Sequence, residues 1–258
     1  MASINGGKNK IDQKYFNLYI KRIHWRKIKM KIKTIITGAT GMVGRGVLLE
    51  CLRNDAVESV LVINRKSVGI KHPKLKEIIH EDFFNLSSLA EELKGYNACY
   101  FCLGVSSFRM SEMDYRRITY DLTMDFAKTL LKNNKEMTFC YVSGTGTDSS
   151  ERGKTMWARV KGKTENDLLN MGFADAYTFR PAYIKPDNNT PSQTPLYKII
   201  LPIASVLHPL IKLVFPKYTT TTNAICKAMI NVSLEGKENK IIESRDINYL
   251  AGNMMERL

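Results

Sequence analysis

Apolar and polar positions alternate along the chain in short blocks that predict strands separated by helices. Strand-like runs rich in β-branched and aromatic residues lie at 34–37, 59–63, 76–79, 98–103, 137–142 and 176–179. Helical spacing of apolar residues begins after residue 41 and recurs over 86–93, 113–131 and 157–169. Strands that alternate with helices are typical of a parallel sheet with crossover helices. The pattern predicts an α/β protein with a doubly wound parallel sheet of the Rossmann type.

The first predicted strand, 34–37, runs into a glycine turn and then into a helix, with glycines at 38, 41 and 44. Gly38 permits a tight turn, Gly41 lets the backbone approach a pyrophosphate, and Gly44 lets the helix pack close to the strand. The free N–H groups at the helix N-terminus suit the same anion. An ordinary strand-to-helix turn is the alternative, but the position between a strand and a helix favours a dinucleotide site.

The motif Thr-Gly-Ala-Thr-Gly-Met-Val-Gly at 37–44 resembles the glycine motif of extended and atypical short-chain dehydrogenases/reductases, the family that includes nucleotide-sugar epimerases and dehydratases. The resemblance covers about residues 31–184 and implies an NAD(P)-binding domain with a small, mainly helical C-terminal substrate region. We therefore expect a basic leader at 1–29, a Rossmann core at 30–184 and a substrate-cap region of the same domain at 185–258.

The chain has 258 residues and a net charge of +14, which fits one α/β domain and raises the question of an anionic partner. Half of that excess, a net +7, lies in residues 1–29, which contain eight Lys and Arg residues and one acidic residue, Asp12. Because the excess is concentrated outside the predicted fold, we expect no specific nucleic-acid partner. We interpret 1–29 as a disordered or non-native leader. A basic arm and an amphipathic membrane arm are the alternatives.

The five cysteines and four histidines show no spacing typical of a metal site, and no metal is predicted. Cys99 and Cys102 have the spacing of a redox pair but fall on a predicted strand, where residues three apart face opposite sides. We expect neither a redox pair nor a disulfide. Cysteines in apolar runs indicate a reducing compartment, and the predicted location is cytoplasmic.

The residues after the second predicted strand favour NADP(H) over NAD(H). A carboxylate at this point binds the ribose 2′-OH of NAD, whereas an arginine accommodates the 2′-phosphate of NADP. The chain has Asn64-Arg65-Lys66-Ser67, without a carboxylate. Arg65 can form a forked bond to a phosphate, while Lys66 and Arg45 add charge. The alternative is that these are solvated basic residues in a basic protein.

The family resemblance implies further cofactor contacts. Asp82 is expected to accept from the adenine amino group, Leu103 and Gly104 to border the cofactor, and the segment from Arg180 to Ile184 to close over the nicotinamide. The predicted cofactor site comprises Gly38, Thr40, Gly41, Met42, Val43, Gly44, Arg45, Asn64, Arg65, Asp82, Phe83, Leu103, Gly104, Ser143, Lys161, Pro181, Ala182, Tyr183 and Ile184.

The resemblance also implies a catalytic serine after the fifth strand and a Tyr-x-x-x-Lys pair on the following helix. Ser143 and Lys161 match the serine and the lysine, but the position four before Lys161 is Trp157. An indole N–H donates a hydrogen bond but does not exchange a proton at working pH. Three explanations are open: the register is wrong, although no other Tyr lies four before a Lys near the fifth strand; the proton comes from Tyr183, Tyr120, Lys161 itself or a water held by Ser143; or the chain binds the cofactor without turnover. Trp157 either walls the nicotinamide pocket or packs as a core residue.

Residues 196–215 are strongly apolar and nearly long enough to span a membrane, but Pro202, Pro209 and two lysines interrupt them. We expect a substrate cap or subunit contact there, with a membrane-surface contact as the next possibility. The predicted function is that of an NADP(H)-binding oxidoreductase acting on a small, rather apolar carbonyl or hydroxyl substrate. The alternative is a non-catalytic NADP(H)-binding regulator or sensor. The oligomeric state is left open.

Overall fold

The computed structural model describes residues 31–185 and 219–253. The chain divides into two compact units, Met1–Lys31 and Ile32–Leu258, and the elements described below lie in the second. The predicted leader at 1–29 and the apolar run at 196–215 fall outside the described residues.

The described strands form one seven-stranded parallel sheet and one two-stranded sheet. The strands are β1 Ile32–Thr37, β2 Val57–Asn64, β3 Leu75–Ile79, β4 Ala98–Phe101, β5 Thr138–Val142, β6 Asp175–Arg180, β7 Tyr183–Lys185, β8 Thr219–Thr221 and β9 Ile241–Glu243. The large sheet has the order β3-β2-β1-β4-β5-β6-β9, and β7 pairs with β8. All of these pairings are parallel. The predicted doubly wound Rossmann-type sheet is confirmed. Its strand order reverses between β1 and β4, where such sheets bind ligands.

The described helices are α1 Met42–Arg53, α2 Glu112–Arg116, α3 Leu122–Asn133, α4 Met156–Leu169, α5 Thr222–Glu235 and α6 Ser244–Asn253. The helix predicted at 113–131 is present but is interrupted, since a π-helical turn at Arg117–Asp121 joins α2 to α3. This turn shifts the side chains that follow it relative to a regular helix.

The helix predicted at 86–93 is wrong. Only a short 3₁₀ turn, Ser87–Leu89, forms there. Leu86, Leu89 and Leu93 are buried at the expected spacing, but successive turns rather than a helix place them. The Asn85 side chain accepts hydrogen bonds from the Ser87 amide at 3.1 Å and from its hydroxyl at 2.6 Å. Such local side-chain bonds compete with regular helix formation.

Two buried clusters cover the two faces of the sheet. One contains residues of α1 and α5, such as Val47, Leu48 and Met229. The other contains α3 residues such as Phe126. The C-terminal part belongs to this same body, because β9 pairs with β6 and α5 packs on α1. Its assignment as a substrate cap stays a prediction.

The cysteines follow the expected alternation of strand faces. Cys99 lies in the cluster that contains α3, and Cys102 packs against the cluster on the other face. All five cysteines are free. Within the described ranges, no group of three or more His, Cys, Asp or Glu could hold a metal ion. Among those same residues, no helix combines the length and the hydropathy that crossing a membrane requires.

Candidate cofactor and active site

The glycine turn joins β1 to α1 with very close backbone contacts. Gly38 has a φ of +69°, and a Cβ added there would lie 2.7 Å from the Cys102 carbonyl oxygen. A Cβ at Gly44 would lie 2.2 Å from the Gly38 carbonyl oxygen. The Gly41 amide donates to that same oxygen at 2.9 Å. Gly41 is also the N-cap of α1 and provides no side-chain cap, so the first-turn amides of this helix are available to an anion.

A cavity of about 890 Å³ opens at the point where the strand order reverses. Nine residues of the predicted cofactor site line it: Gly38, Thr40, Arg45, Asn64, Arg65, Asp82, Phe83, Leu103 and Gly104. The lining also includes residues that the predicted site did not contain: Lys66, Ser67, Val68, Glu81, Phe84, Val105, Ile118 and Leu122. The structure thus brings together residues that follow β1, β2, β3 and β4.

The loop after β2 is held from both sides. Glu77 on β3 accepts from the Ser67 hydroxyl at 2.6 Å and from the Val68 amide at 2.7 Å. Arg45 on α1 donates to the Val68 carbonyl at 3.2 Å. These hydrogen bonds hold in place the loop that carries Arg65 and Lys66. Both of these basic residues are exposed at the cavity.

Asn64, the last residue of β2, tests whether the cavity suits a ligand with hydroxyl groups. Its side-chain oxygen accepts from the Ala39 amide at 3.3 Å, while its side-chain NH₂ is buried and has no hydrogen-bond partner among the described residues. Buried polar groups are rarely left unpaired. An unpaired donor on a residue that lines the cavity, beside a glycine turn that leaves no room for a Cβ, fits a dinucleotide.

The far end of the cavity combines a hydrogen-bonded loop with apolar walls. Asp82 accepts from the Phe84 amide at 3.0 Å. The Nε2 atom of His80 lies 2.7 Å from the Asp82 carbonyl oxygen and 2.8 Å from that of Asn85. Carbonyl oxygens only accept, so this nitrogen carries a proton. Ile118 reaches the cavity from the π-helical turn, which explains why helical periodicity did not identify it.

Ser143 lies just beyond β5 and is buried. Its hydroxyl oxygen lies 3.0 Å from that of Thr147, which in turn donates to the Gly144 carbonyl at 2.8 Å. Thr147 has one hydroxyl proton, so Ser143 is the donor in their bond. The loop continues through Gly146, whose φ is +88° and whose missing Cβ would lie 3.4 Å from the Trp157 ring. Trp157 is half-buried and packs on the loop that carries Ser143.

Lys161 lies one helical turn beyond Trp157 on α4, with its ammonium 5.7 Å from the centre of the Tyr141 ring. Ser143 is two residues beyond Tyr141, and because its amide still donates to the Phe179 carbonyl of β6 at 2.8 Å, the extended chain continues and the two side chains lie on the same face. Tyr141 pairs with Phe101 of β4, and Leu103, two residues beyond Phe101, lines the cavity. Lys161 thus lies against the strand that leads to Ser143, which is next to the strand that leads to the cavity.

The charge of Lys161 is destabilised by its surroundings. Burial lowers the pKa of Lys161 to about 8, and the nearby Glu165 carboxylate opposes that shift. Glu165 is itself fully buried and bound by Arg180 on β6, whose Nε lies 3.0 and 3.1 Å from the two carboxylate oxygens. The carboxylate is therefore largely neutralised by the guanidinium.

The segment after β6 is bound mainly to the protein itself. The Ala182 amide donates to the Ser244 hydroxyl at 2.9 Å, and the Pro181 carbonyl accepts from the Thr145 amide at 3.1 Å. Ile184 packs against the core cluster that contains α1 and α5. The Ala182 amide, which lies in the segment expected to close over the nicotinamide, is thus already hydrogen-bonded within the protein. Burial raises the pKa of Tyr183.

Tyr120 is a poor candidate for the proton donor. Its hydroxyl donates to Asp167 at 2.5 Å, and Lys163 binds the same carboxylate at 3.0 Å. Residues 163 and 167 lie on the opposite side of α4 from Lys161. Tyr120 therefore faces away from the Ser143 and Lys161 side chains.

Comparison with known proteins agrees with this geometry. Residues 34–151 match the model of the NAD dependent epimerase/dehydratase family. The rat protein HTATIP2 is 26% identical over 159 residues, which cover 60% of this chain and 64% of that protein, slightly less than two thirds of its length. "Protein FMP52, mitochondrial" of Meyerozyma guilliermondii is 22% identical over 205 residues, covering 79% of this chain and 86% of that protein.

A solved short-chain dehydrogenase from Burkholderia cenocepacia, in complex with NADP, has the same fold. It superposes with a TM-score of 0.58 at 13% identity, covering 88% of this chain and 94% of that one. The resemblance expected from the glycine motif is confirmed, since residues 34–151 match the model of the epimerase/dehydratase family.

Proposed function

We propose that this chain binds NADP(H) and acts as an oxidoreductase on a small, rather apolar carbonyl or hydroxyl substrate. Its residues 34–151 match the model of the NAD dependent epimerase/dehydratase family. The observation that carries the proposal is the cavity at the strand-order reversal, with the glycine turn at one side and Arg65 and Lys66 at the other. The Burkholderia enzyme with the same fold holds NADP.

The preference for NADP(H) follows from the charges around the loop after β2. Glu77, the acidic residue that contacts this loop, has both oxygens bound to Ser67 and Val68. Arg65 and Lys66 are exposed beside the cavity. A 2′-phosphate gains charge-assisted bonds from such a pair, whereas the 2′-OH of NAD gains no carboxylate acceptor from the loop.

Each part of the site then has a role. The bound cofactor supplies or accepts a hydride. The first-turn amides of α1 bind the pyrophosphate, and the side-chain NH₂ of Asn64 meets a ribose hydroxyl. Ser143 and Lys161 orient the substrate oxygen near the end of β5, and Trp157 limits the space beside them.

Calorimetric titration with NADPH and with NADH tests the cofactor assignment. We compare the full chain with a variant carrying Arg65→Ala and Lys66→Ala, and with a control that removes two lysines of α3, Lys128→Ala and Lys132→Ala. Because hydrogen bonds to charged groups contribute about 1.5 to 3 kcal/mol each, the first variant should bind NADPH at least about tenfold more weakly. Its NADH affinity should change little. Equal losses for both cofactors, or a preference for NADH in the wild-type chain, contradict the assignment.

The second candidate function, a non-catalytic NADP(H) sensor, is favoured by one observation. Trp157 occupies the helical position one turn before Lys161, and its ring packs on Gly146. An indole cannot act as a proton donor. A wild-type chain that binds NADPH but reduces no carbonyl, together with a Trp157→Tyr variant that does, supports the sensor. Turnover by the wild-type chain excludes it.

Location and partners are further proposals. We propose a cytoplasmic location. The name of the Meyerozyma relative gives a mitochondrial location for that protein, which is the alternative. Imaging a C-terminally tagged chain with and without residues 1–29 distinguishes the two. A membrane-surface contact through residues 196–215 is tested by flotation with anionic vesicles.

A further inference from the structure

The titratable groups around Lys161 differ in how firmly they hold their protons. Burial raises the pKa of Tyr141 on β5 and of Tyr115 on α2. Both rings are almost fully buried. Neither tyrosine is therefore placed to exchange protons readily with a substrate.

The acidic group nearest to Lys161 is also occupied. Glu165, one turn further along α4, is bound through both oxygens by Arg180 of β6. Arg180 also lies 3.7 Å from Glu243 of β9. Arg180 thus carries one positive charge against the two carboxylates of α4 and β9, and among the described residues neither carboxylate forms a direct ion pair with Lys161.

Lys161 itself is the exception. No hydrogen bond or ion pair to its ammonium is present within residues 31–185 and 219–253. The ammonium lies over the face of the Tyr141 ring, 5.7 Å from the ring centre. Its neighbour on α4, Lys163, is by contrast bound to Asp167 at 3.0 Å. A buried ammonium without a carboxylate partner loses its proton more easily than one in water.

We propose that Lys161 is the proton donor to the substrate oxygen, a role that rests on the proposed NADP(H)-dependent function. In the reductive direction the carbonyl carbon receives a hydride from bound NADPH, and the carbonyl oxygen receives a proton from the Lys161 ammonium. The products are the alcohol, NADP⁺ and a neutral Lys161 amine, which regains its proton from water. In this step the Ser143 hydroxyl, which donates to Thr147 in the structure, turns to the substrate oxygen and positions it.

The sign of the pH dependence follows from this step. Reduction needs the ammonium, so its rate should be constant below the pKa of Lys161 and fall about tenfold per pH unit above it. Oxidation of the alcohol needs the neutral amine, so its rate should rise over the same interval. The groups that face Lys161 are Glu165, Tyr141 and the Arg180 behind Glu165, and burial raises the pKa of Tyr141 above its usual range.

The test uses the full chain with NADPH and two apolar carbonyls, 4-nitrobenzaldehyde and cyclohexanone. The variants are Lys161→Arg and Lys161→Met, with Lys163→Met as the matched control on the same helix. NADPH affinity is measured separately by calorimetry. The ε-CH₂ signal of Lys161 is followed against pH by NMR in the NADP⁺ complex, assigned by its absence from the Lys161→Arg spectrum.

We expect the Lys161 signal to titrate near pH 8 and the Lys163 signal at higher pH, because the hydrogen bond to Asp167 raises the pKa of Lys163. Arginine keeps the charge but is too weak an acid to donate, so Lys161→Arg should lower kcat about 10²- to 10⁴-fold. Its NADPH affinity should stay close to that of the wild-type chain. Lys163→Met should keep both.

Three results overturn the proposal. A Lys161→Arg variant that retains most of kcat shows that the residue only holds the cofactor or the substrate by its charge. A Lys161 signal that titrates above pH 10 in the complex shows that the ammonium is not a suitable acid. A wild-type chain that binds NADPH but reduces neither carbonyl removes the proton-transfer step and leaves cofactor binding standing. Failure to bind NADPH is a separate outcome, which removes the proposed function as well.

Discussion

Gly44 is the position in the glycine turn where one added methyl group should have the largest effect. The Cβ of Gly44→Ala would lie 2.2 Å from the Gly38 carbonyl oxygen and 2.6 Å from its carbon. Ordinary contacts begin near 3.4 Å, so the turn and α1 must separate by about 1.2 Å. Backbone lies on both sides of the clash, so a change of side-chain rotamer cannot relieve it.

The magnitude has two parts. Overpacking of this kind costs about 1 to 3 kcal/mol of folding free energy, and each kcal/mol lowers the melting temperature of a chain of this size by about 2 to 4 °C. A displacement of about 1 Å also moves the first-turn amides of α1 away from the pyrophosphate. Loss of one bond to a charged group, at about 1.5 to 3 kcal/mol, should weaken NADPH binding at least about tenfold.

The assay is a pair of measurements on the purified chain, thermal unfolding and calorimetric titration with NADPH. Gly252→Ala on α6 is the matched control, because no atom lies within 4 Å of its missing Cβ and it does not line the cavity. That control should keep wild-type affinity and equal or slightly exceed wild-type stability. A Gly44→Ala chain that melts within about 1 °C of the wild type and binds NADPH equally well refutes the close-packing argument.

Three further changes test the packing around the site by urea unfolding. Glu165→Ala removes the fully buried carboxylate from the mostly buried Arg180, whose remaining ion-pair partner Glu243 is half-exposed, and should cost about 3 to 5 kcal/mol; a loss below about 1 kcal/mol contradicts the buried pair. Thr221→Ala removes the hydroxyl that caps α5 and should cost about 1 kcal/mol, with Thr221→Ser as the variant that should recover it. Gly46→Ala places a Cβ 2.4 Å from that of Thr222 and should cost about 1 to 3 kcal/mol, and because Thr222→Gly removes the opposing Cβ, the loss in the double variant should be smaller than the sum of the two single losses. If the two losses simply add, the two helices do not meet at these residues.

The cofactor side of the site could be predicted from sequence because local rules govern it. A strand, a glycine turn and a helix follow one another in the chain, and the strand ends of a parallel sheet meet at one edge. Gly38, Asn64, Asp82 and Leu103 each follow or end a strand that the apolar pattern identified, and all four line one cavity. Their identification required no knowledge of tertiary contacts.

The residues that sequence reasoning missed depend on contacts between distant parts of the chain. Ile118 enters the cavity through a π-helical turn, and no local signal marks the extra residue of such a turn. The Ala182 amide is taken by Ser244, 62 residues away. The position of Glu77 beside Ser67 follows from the pairing of β2 with β3. A pattern read along the chain cannot specify these partners.

The packing of α4 indicates that Trp157 is part of a built site. A Cβ at Gly162, next to Lys161, would lie 1.8 Å from the Asp148 carbonyl oxygen, so the helix rests directly on the loop that begins at Ser143. At the other end of the same contact the Trp157 ring lies on Gly146. Two glycines thus bring the loop against α4, and the indole fills the space that one of them leaves. A tyrosine at 157 would be too small to maintain that contact, so the Ser143 loop would lose support as a proton donor was gained. The tryptophan and the two glycines therefore hold this loop against α4.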